Sequence, residues 1–126
     1  MRTKPFVARG LKLTLEEKAD ETIIHCMGEI NATNAQAFQE EIRGLIPASR
    51  GHVDNITLRI VLDLSNVTHV DSTGLGALLG AWMAAQRKGC DLELANLNAQ
   101  VGMMVQVTKL DTVFKTMKDF FGRTKV

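Results

Sequence analysis

The chain has 126 residues, of which 45% are hydrophobic, 23% charged and only 5% aromatic. That balance excludes a disordered or fibrous protein and fits one domain with an aliphatic core. With 15 Lys and Arg against 14 Asp and Glu the formal net charge is +1, so no global field draws the chain to nucleic acid or to an anionic membrane.

Residues 11–15 alternate in character and Thr22-Ile23-Ile24-His25-Cys26-Met27 is β-branched and apolar before Gly28, which predicts two strands joined by a charged turn over 16–21. Ala35, Phe38, Ile42, Leu45 and Ile46 recur at helical spacing behind Thr33. Thr33 and Gln36 have the separation of a capping box, and Pro47 should end this helix. The polar stretch 48–55, with Gly51 inside it, reads as a surface loop. Residues 58–64 are apolar at nearly every position, which predicts a central strand buried on both faces. Asp71-Ser72-Thr73-Gly74-Leu75-Gly76 then opens a second helix, from about Thr73 to Lys88, stopped by Gly89.

Residues 91–95 return as a strand, and Asn98 can cap a third helix from Ala99 to about Thr108. Val113-Phe114-Lys115 is a short strand candidate, and residues 117–121 add an apolar turn or two. The order β-β-α-β-α-β-α-β-α predicts an α/β fold with a mixed central sheet of about five strands and about four helices, in a single domain over 1–126.

On the second helix Leu75, Leu78, Leu79, Trp82, Met83 and Gln86 share one stripe, expected to face the sheet. The opposite face, Thr73, Ala77, Gly80, Ala84 and Lys88, carries almost no bulk. Alanine is a good helix former on any solvated surface, but an interior glycine costs about 1 kcal/mol and often marks the close approach of another backbone. That face is therefore expected to be a docking surface. Ser72 stands where the helix begins, a position at which a hydroxyl can cap free backbone N–H groups or carry a phosphate. Gly74 and Gly76 strip side chains from the first turn, and Asp71 sets a carboxylate beside the hydroxyl or acts as a second cap.

No other residue pattern carries chemistry. Cys26 and Cys90 stand far apart without metal-ligand spacing and read as buried reduced thiols. His25, His52 and His69 are scattered and receive no role. No apolar run approaches the ~18 residues that span a bilayer, and Met1-Arg2-Thr3-Lys4-Pro5 lacks a signal-peptide core. A cytoplasmic protein without direct membrane insertion is expected.

At this point the chain resembles the STAS family, the sulfate-transporter and anti-sigma-factor-antagonist domain, and above all its small stand-alone bacterial members. Gly28-Glu29-Ile30-Asn31-Ala32-Thr33-Asn34-Ala35 is similar to the family's segment before its first helix, with Asn31 in place of the common aspartate. Val61-Leu62-Asp63-Leu64-Ser65-Asn66-Val67 resembles its central strand and loop, Asp71-Ser72-Thr73-Gly74-Leu75-Gly76 its Asp-Ser-Ser/Thr-Gly-Leu/Ile-Gly signature, and Leu110-Asp111-Thr112-Val113-Phe114 its late Leu-x-x-x-Phe element. The loop over 47–55 looks longer than in compact members, and His69 stands where the family has an apolar or aromatic residue.

The resemblance implies a regulator and no catalyst, needing no cofactor of its own. The family's phosphoacceptor falls on Ser72, with Thr73 as second choice. The implied partner is an anti-sigma factor of the GHKL ATPase type, a serine kinase that supplies ATP and Mg²⁺ itself. Its docking surface would comprise Asp71, Ser72, Thr73, Gly74, Gly76, Ala77, Gly80 and Ala84, together with Glu29, Asn31 and Thr33; a weak dimer stays open. The runner-up is a STAS scaffold subunit, in a stress-signalling complex or beside a lipid ABC transporter, with Ser72 as cap or contact. Direct binding of a nucleotide or lipid at Ser72 has only the exposed glycines in its favour, and no His is placed by sequence to make Ser72 a nucleophile.

Overall fold

Two extra residues in one long strand decide where the chain turns into its second helix. The computed structural model describes residues 6–46, 52–53, 56–57 and 59–107. In chain order these form β1 (Phe6–Ala8), β2 (Leu11–Glu17), β3 (Glu21–Ile30), α1 (Ala35–Leu45), β4 (His52–Val53), β5 (Ile56–Thr57), β6 (Arg59–Val70), α2 (Ser72–Arg87), β7 (Asp91–Ala95) and α3 (Ala99–Val107). Five strands make one sheet in the order β1-β2-β3-β6-β7. β1 to β3 run antiparallel, whereas β3 with β6 and β6 with β7 are parallel. Each parallel pair is linked by a helical crossover, as parallel neighbours require.

Among the described residues the sheet is mixed and five-stranded as expected, and it includes one strand, Phe6–Ala8, that the sequence reading does not predict. Phe6–Ala8 pairs with β2 through a tight turn in which Arg9 and Gly10 both have positive φ, 37° and 84°. That is the twist a two-residue hairpin needs, and Arg9 is a poor advertisement for it. The strand proposed at 113–115, the turn at 117–121 and the end of the third helix at Thr108 lie outside the described residues. The loop expected over 48–55 is corrected in part: β4 and β5 form a separate antiparallel pair, Val53 opposite Ile56. Asp54-Asn55 between them in sequence are turn formers flanked by β-formers.

β6 runs on to Val70, six residues past the expected end at Leu64. Its register with β3 shifts between His25 and Met27 and again between Gly28 and Glu29. Each shift inserts one residue of β6, so the buried series Ile60, Leu62, Leu64 continues at Val67 and Val70 with a spacing of three. One face of the sheet packs Leu11, Leu13, Ile24, Cys26, Ile60, Leu62, Leu92 and Leu94 into the core with Phe38 and Ile42 of α1, Leu78 of α2 and Val101 of α3. The other face is not apolar throughout. Val61 is buried there, but its neighbours along β6 are half-buried Arg59 and Asp63.

The faces of α2 require a correction. Ala77 and Ala84, expected to be exposed, are 4% and 5% accessible, and a Cβ on Gly80 would stand 2.0 Å from Gln39 Nε2 of α1. The small residues form the seam along which α1 lies, because two helices approach closely only where side chains are short. Of the stripe expected to face the sheet, Leu75 and Leu78 are buried, whereas Met83 is 45% exposed and Gln86 is exposed. A helix covered by a sheet beneath and a helix alongside buries more than half its circumference. The exposed line is then Ser72, Gly76, Met83 and Gln86, with Leu79 half-buried between them.

Gly28 has φ 116°, and a Cβ there would lie 2.0 Å from the backbone oxygen of Gly10. Gly28→Ala should therefore lose about 2 kcal/mol or more. Gly80→Ala meets only the end of a flexible side chain and gains helix propensity, so it should stay within about 0.5 kcal/mol of wild type. Urea denaturation of both variants measures the contrast.

Candidate functional site

The loop that leaves β3 is organised by asparagines. Asn34, only 1% accessible, accepts from the Asn31 N–H at 2.9 Å and donates through Nδ2 to the carbonyls of Arg9 and Glu29 at 3.0 and 2.9 Å. These bonds tie the β1–β2 turn to the end of β3, and the side chain makes no capping bond to α1. Asn31 Oδ1 accepts from the Thr33 N–H and hydroxyl at 3.0 and 2.6 Å, and Asn31 Nδ2 donates to Glu29 Oε1 at 3.3 Å. The Thr33–Gln36 capping box therefore does not form: Thr33 turns back to Asn31, and the residue in the N-cap position is Asn34. Asn34 stands just before the first periodic apolar residue, a signal that could have found it.

Asp71 joins this loop to α2. Its N–H donates to the Ile30 carbonyl at 3.2 Å. Its Oδ1 accepts from the Gly74 N–H at 2.8 Å and its Oδ2 from the Ala32 N–H at 3.1 Å. One carboxylate thus caps α2 and holds the β3–α1 loop across the end of the sheet. Charge-assisted bonds of this kind, at the positive end of a helix, exceed the ordinary N-cap in strength. Gly74 is part of the same joint, since a Cβ there would come within 2.1 Å of the Ile30 oxygen. Its role is close packing, not access. Gly76 is exposed with nothing within 4 Å of a would-be Cβ, as the access reading expects.

Because Asp71 is the cap, Ser72 is the first helical residue and its hydroxyl has no capping duty. Ser72 and Thr73 are both exposed. Beside Ser72 an open hollow of about 720 Å³ is lined by Glu29, Ile30, Asn31, His69, Val70, Asp71, Gln100 and Met104. Of the residues singled out in the sequence, Asp71, Ser72, Thr73, Gly76, Glu29, Asn31 and Thr33 gather on this end of the molecule. Ala77, Gly80 and Ala84 do not share its open surface. His69 near the end of β6 also lines the hollow, as do Gln100 and Met104, which only the fold brings here on α3. Its placement rests on Asn98, which accepts from the Val101 N–H at 2.8 Å and donates to the Val67 carbonyl at 2.8 Å.

Among the described residues no helix is long and apolar enough to cross a membrane. Residues 12–121 match the family model described as the STAS domain. An anti-sigma-B factor antagonist of Listeria monocytogenes is 30% identical over 100 residues, covering 79% of this chain and 82% of that one. Among solved structures, an anti-sigma factor antagonist from Mycobacterium paratuberculosis superposes with a TM-score of 0.68 at 20% identity, over 82% of each chain. The Bacillus cell fate determinant SpoIIAA in its phosphorylated form gives a TM-score of 0.57 at 18% identity, over 79% of this chain and 86% of that one.

Asp71→Ala removes both bonds of the bridge and should cost about 1–2 kcal/mol, whereas Ser72→Ala should stay within about 0.5 kcal/mol of wild type. Equilibrium denaturation of the two variants checks this division of labour between adjacent residues.

Proposed function

The chain belongs to the STAS domain family, and from that membership we propose that it acts as an anti-sigma factor antagonist switched by phosphorylation at Ser72. The observation that carries the proposal is the exposed Ser72 hydroxyl, relieved of capping by Asp71 and set on a turn held from both sides. The relatives named as antagonists, matched over most of their length, support the general role. The occurrence of a phosphorylated form in a protein of the same fold supports the switch.

Unphosphorylated protein docks on an anti-sigma factor of the GHKL kinase type through Asp71, Ser72, Thr73 and Gly76, flanked by Glu29, Asn31 and Thr33, and the sigma factor is released. Gly74 serves this surface from below by letting α2 approach Ile30. Ala77, Gly80 and Ala84 serve it only through the packing of α1, and the exposed line from Gly76 past Leu79 to Met83 takes their place. Transfer joins the γ-phosphoryl group of ATP to Ser72 Oγ, the hydroxyl proton passes to a base of the kinase, and ADP leaves.

The product carries about −1.5 to −2 added charge at a helix N-terminus, where first-turn N–H groups without intrahelical partners tolerate it. Within the protein the phosphate is accommodated. Between two proteins it must be desolvated next to the Asp71 carboxylate, and a loss of about 3 kcal/mol there weakens binding by more than about a hundredfold.

Ser72→Ala is expected to bind the kinase with wild-type affinity in the presence of ATP and to stay bound, and Ser72→Asp to fold normally but bind weakly; calorimetric titration of both reads the difference. Incubation with the kinase and ATP should add about 80 Da, mapped by peptide mass to Ser72. Equal binding by both variants, or a phosphate on Thr73 alone, contradicts the proposal.

A further inference from the structure

On the sheet face that α1 and α2 do not cover, His25 of β3 stands between two carboxylates from its neighbouring strands. Its Nδ1 lies 2.8 Å from Asp63 Oδ2 on β6, and its Nε2 lies 2.9 Å from Glu16 Oε1 on β2. A neutral imidazole has one N–H and one lone pair, so against two carboxylate oxygens it can make one hydrogen bond and must face the other with a lone pair. Only the imidazolium donates to both. The arrangement thus selects the charged ring by geometry alone, on a side chain that is 40% exposed and in reach of bulk protons.

The two arms are unequal. Asp63 is half-buried and its other oxygen accepts from the Ser65 N–H and from Asn96 Nδ2, both at 3.0 Å, so it is held whether or not His25 is charged. Glu16 is far more exposed and its other ionic neighbour is Lys18, at 3.9 Å and itself exposed. Arg59 on the same face is engaged with Glu93, and with Glu21 at 3.8 Å, and the face also carries Lys12 of β2 and Asp91 of β7.

We propose that Glu16, His25 and Asp63 form a proton-operated clasp across β2, β3 and β6, which opens at its Glu16 arm when His25 loses its proton. His25 and Asp63 also line a hollow of about 240 Å³, with Lys18, Ile23, Val61 and Asn96 among its other walls. Partial burial pushes the His25 pKa down, but the hydrogen bonds to Glu16 and Asp63 outweigh it and the net direction is up. The Glu16 carboxyl is held below its ordinary range, chiefly by His25. Burial raises the Asp63 pKa, yet the donors Asn96, Ser65 and His25 together bring it below the ordinary range.

The signs define a window. A raised His pKa adds stability that is complete below the unfolded value of about 6.5 and is lost as pH rises through the folded value; the lowered carboxylates lose theirs on acidification below about 4. The clasp is shut between those limits and opens on the alkaline side.

Proton NMR titration of the intact protein, with His25 assigned by His52→Gln and His69→Gln variants, should place the His25 midpoint above that of a free histidine. Glu16→Gln should bring it down. Hydrogen exchange corrected for intrinsic rates should show about a two- to fivefold loss of protection at the β2–β3 amides between pH 6 and pH 8.5 in wild type, and little change in Glu16→Gln. A His25 midpoint at or below that of a free histidine, or one that ignores Glu16→Gln, overturns the proposal. Equal loss of protection with pH in both proteins overturns it too, because a merely structural ion pair leaves no such difference.

Discussion

Asp71 ties together three pieces of chain that belong to different parts of the fold. Through Oδ1 it starts α2, through Oδ2 it fixes the loop that starts α1, and its N–H continues the pairing of β6 with the end of β3. The bridge is made entirely to backbone groups, so it constrains positions and not merely side chains. Everything exposed around it inherits that constraint: the Ser72 hydroxyl, the Asn31–Thr33 turn, and the hollow between them. A surface ordered in advance loses less conformational entropy on docking, and a residue relieved of capping can be modified without unravelling its helix.

The bridge also depends on packing at a distance. Gly74 brings α2 onto the Ile30 carbonyl, and the seam of Ala77, Gly80 and Ala84 brings α1 alongside α2. The same smallness that suggested a flat outer face is what allows an inner one. The two bulges in β6 matter for a related reason, since in a regular strand Val67 would point away from the core, and with the first bulge alone Val70 would do so and the strand would deliver Asp71 on the wrong side of the sheet.

Much of this was legible from residues alone. The periodicity of α1, the limits of α2 and β7, the Asn98 cap and the place of Ser72 at the start of α2 are local properties, set by residues within a few positions of one another. What was not legible depends on partners distant in sequence. Alternation cannot follow β6 past Leu64, because a bulge reverses the parity that defines a strand. A stripe of small residues reads the same whether solvent or a second helix lies over it. His25 looked inert because nothing near it in sequence could reveal Glu16 on one side and Asp63 on the other. The N-cap position of Asn34 has a local signal, but its bond to the Arg9 carbonyl, 25 residues away, has none.

The central claim is that one rigid end of the molecule, centred on Ser72, is the surface another protein reads. Amide hydrogen exchange of the unmodified protein, alone and saturated with the proposed anti-sigma factor kinase, tests this most directly. The account predicts new protection concentrated at residues 29–33 and 71–76, with the seam of Ala77 and Ala84 already protected before binding. Protection on the face of the sheet around His25, with the Ser72 turn exchanging as it does in the free protein, would contradict it.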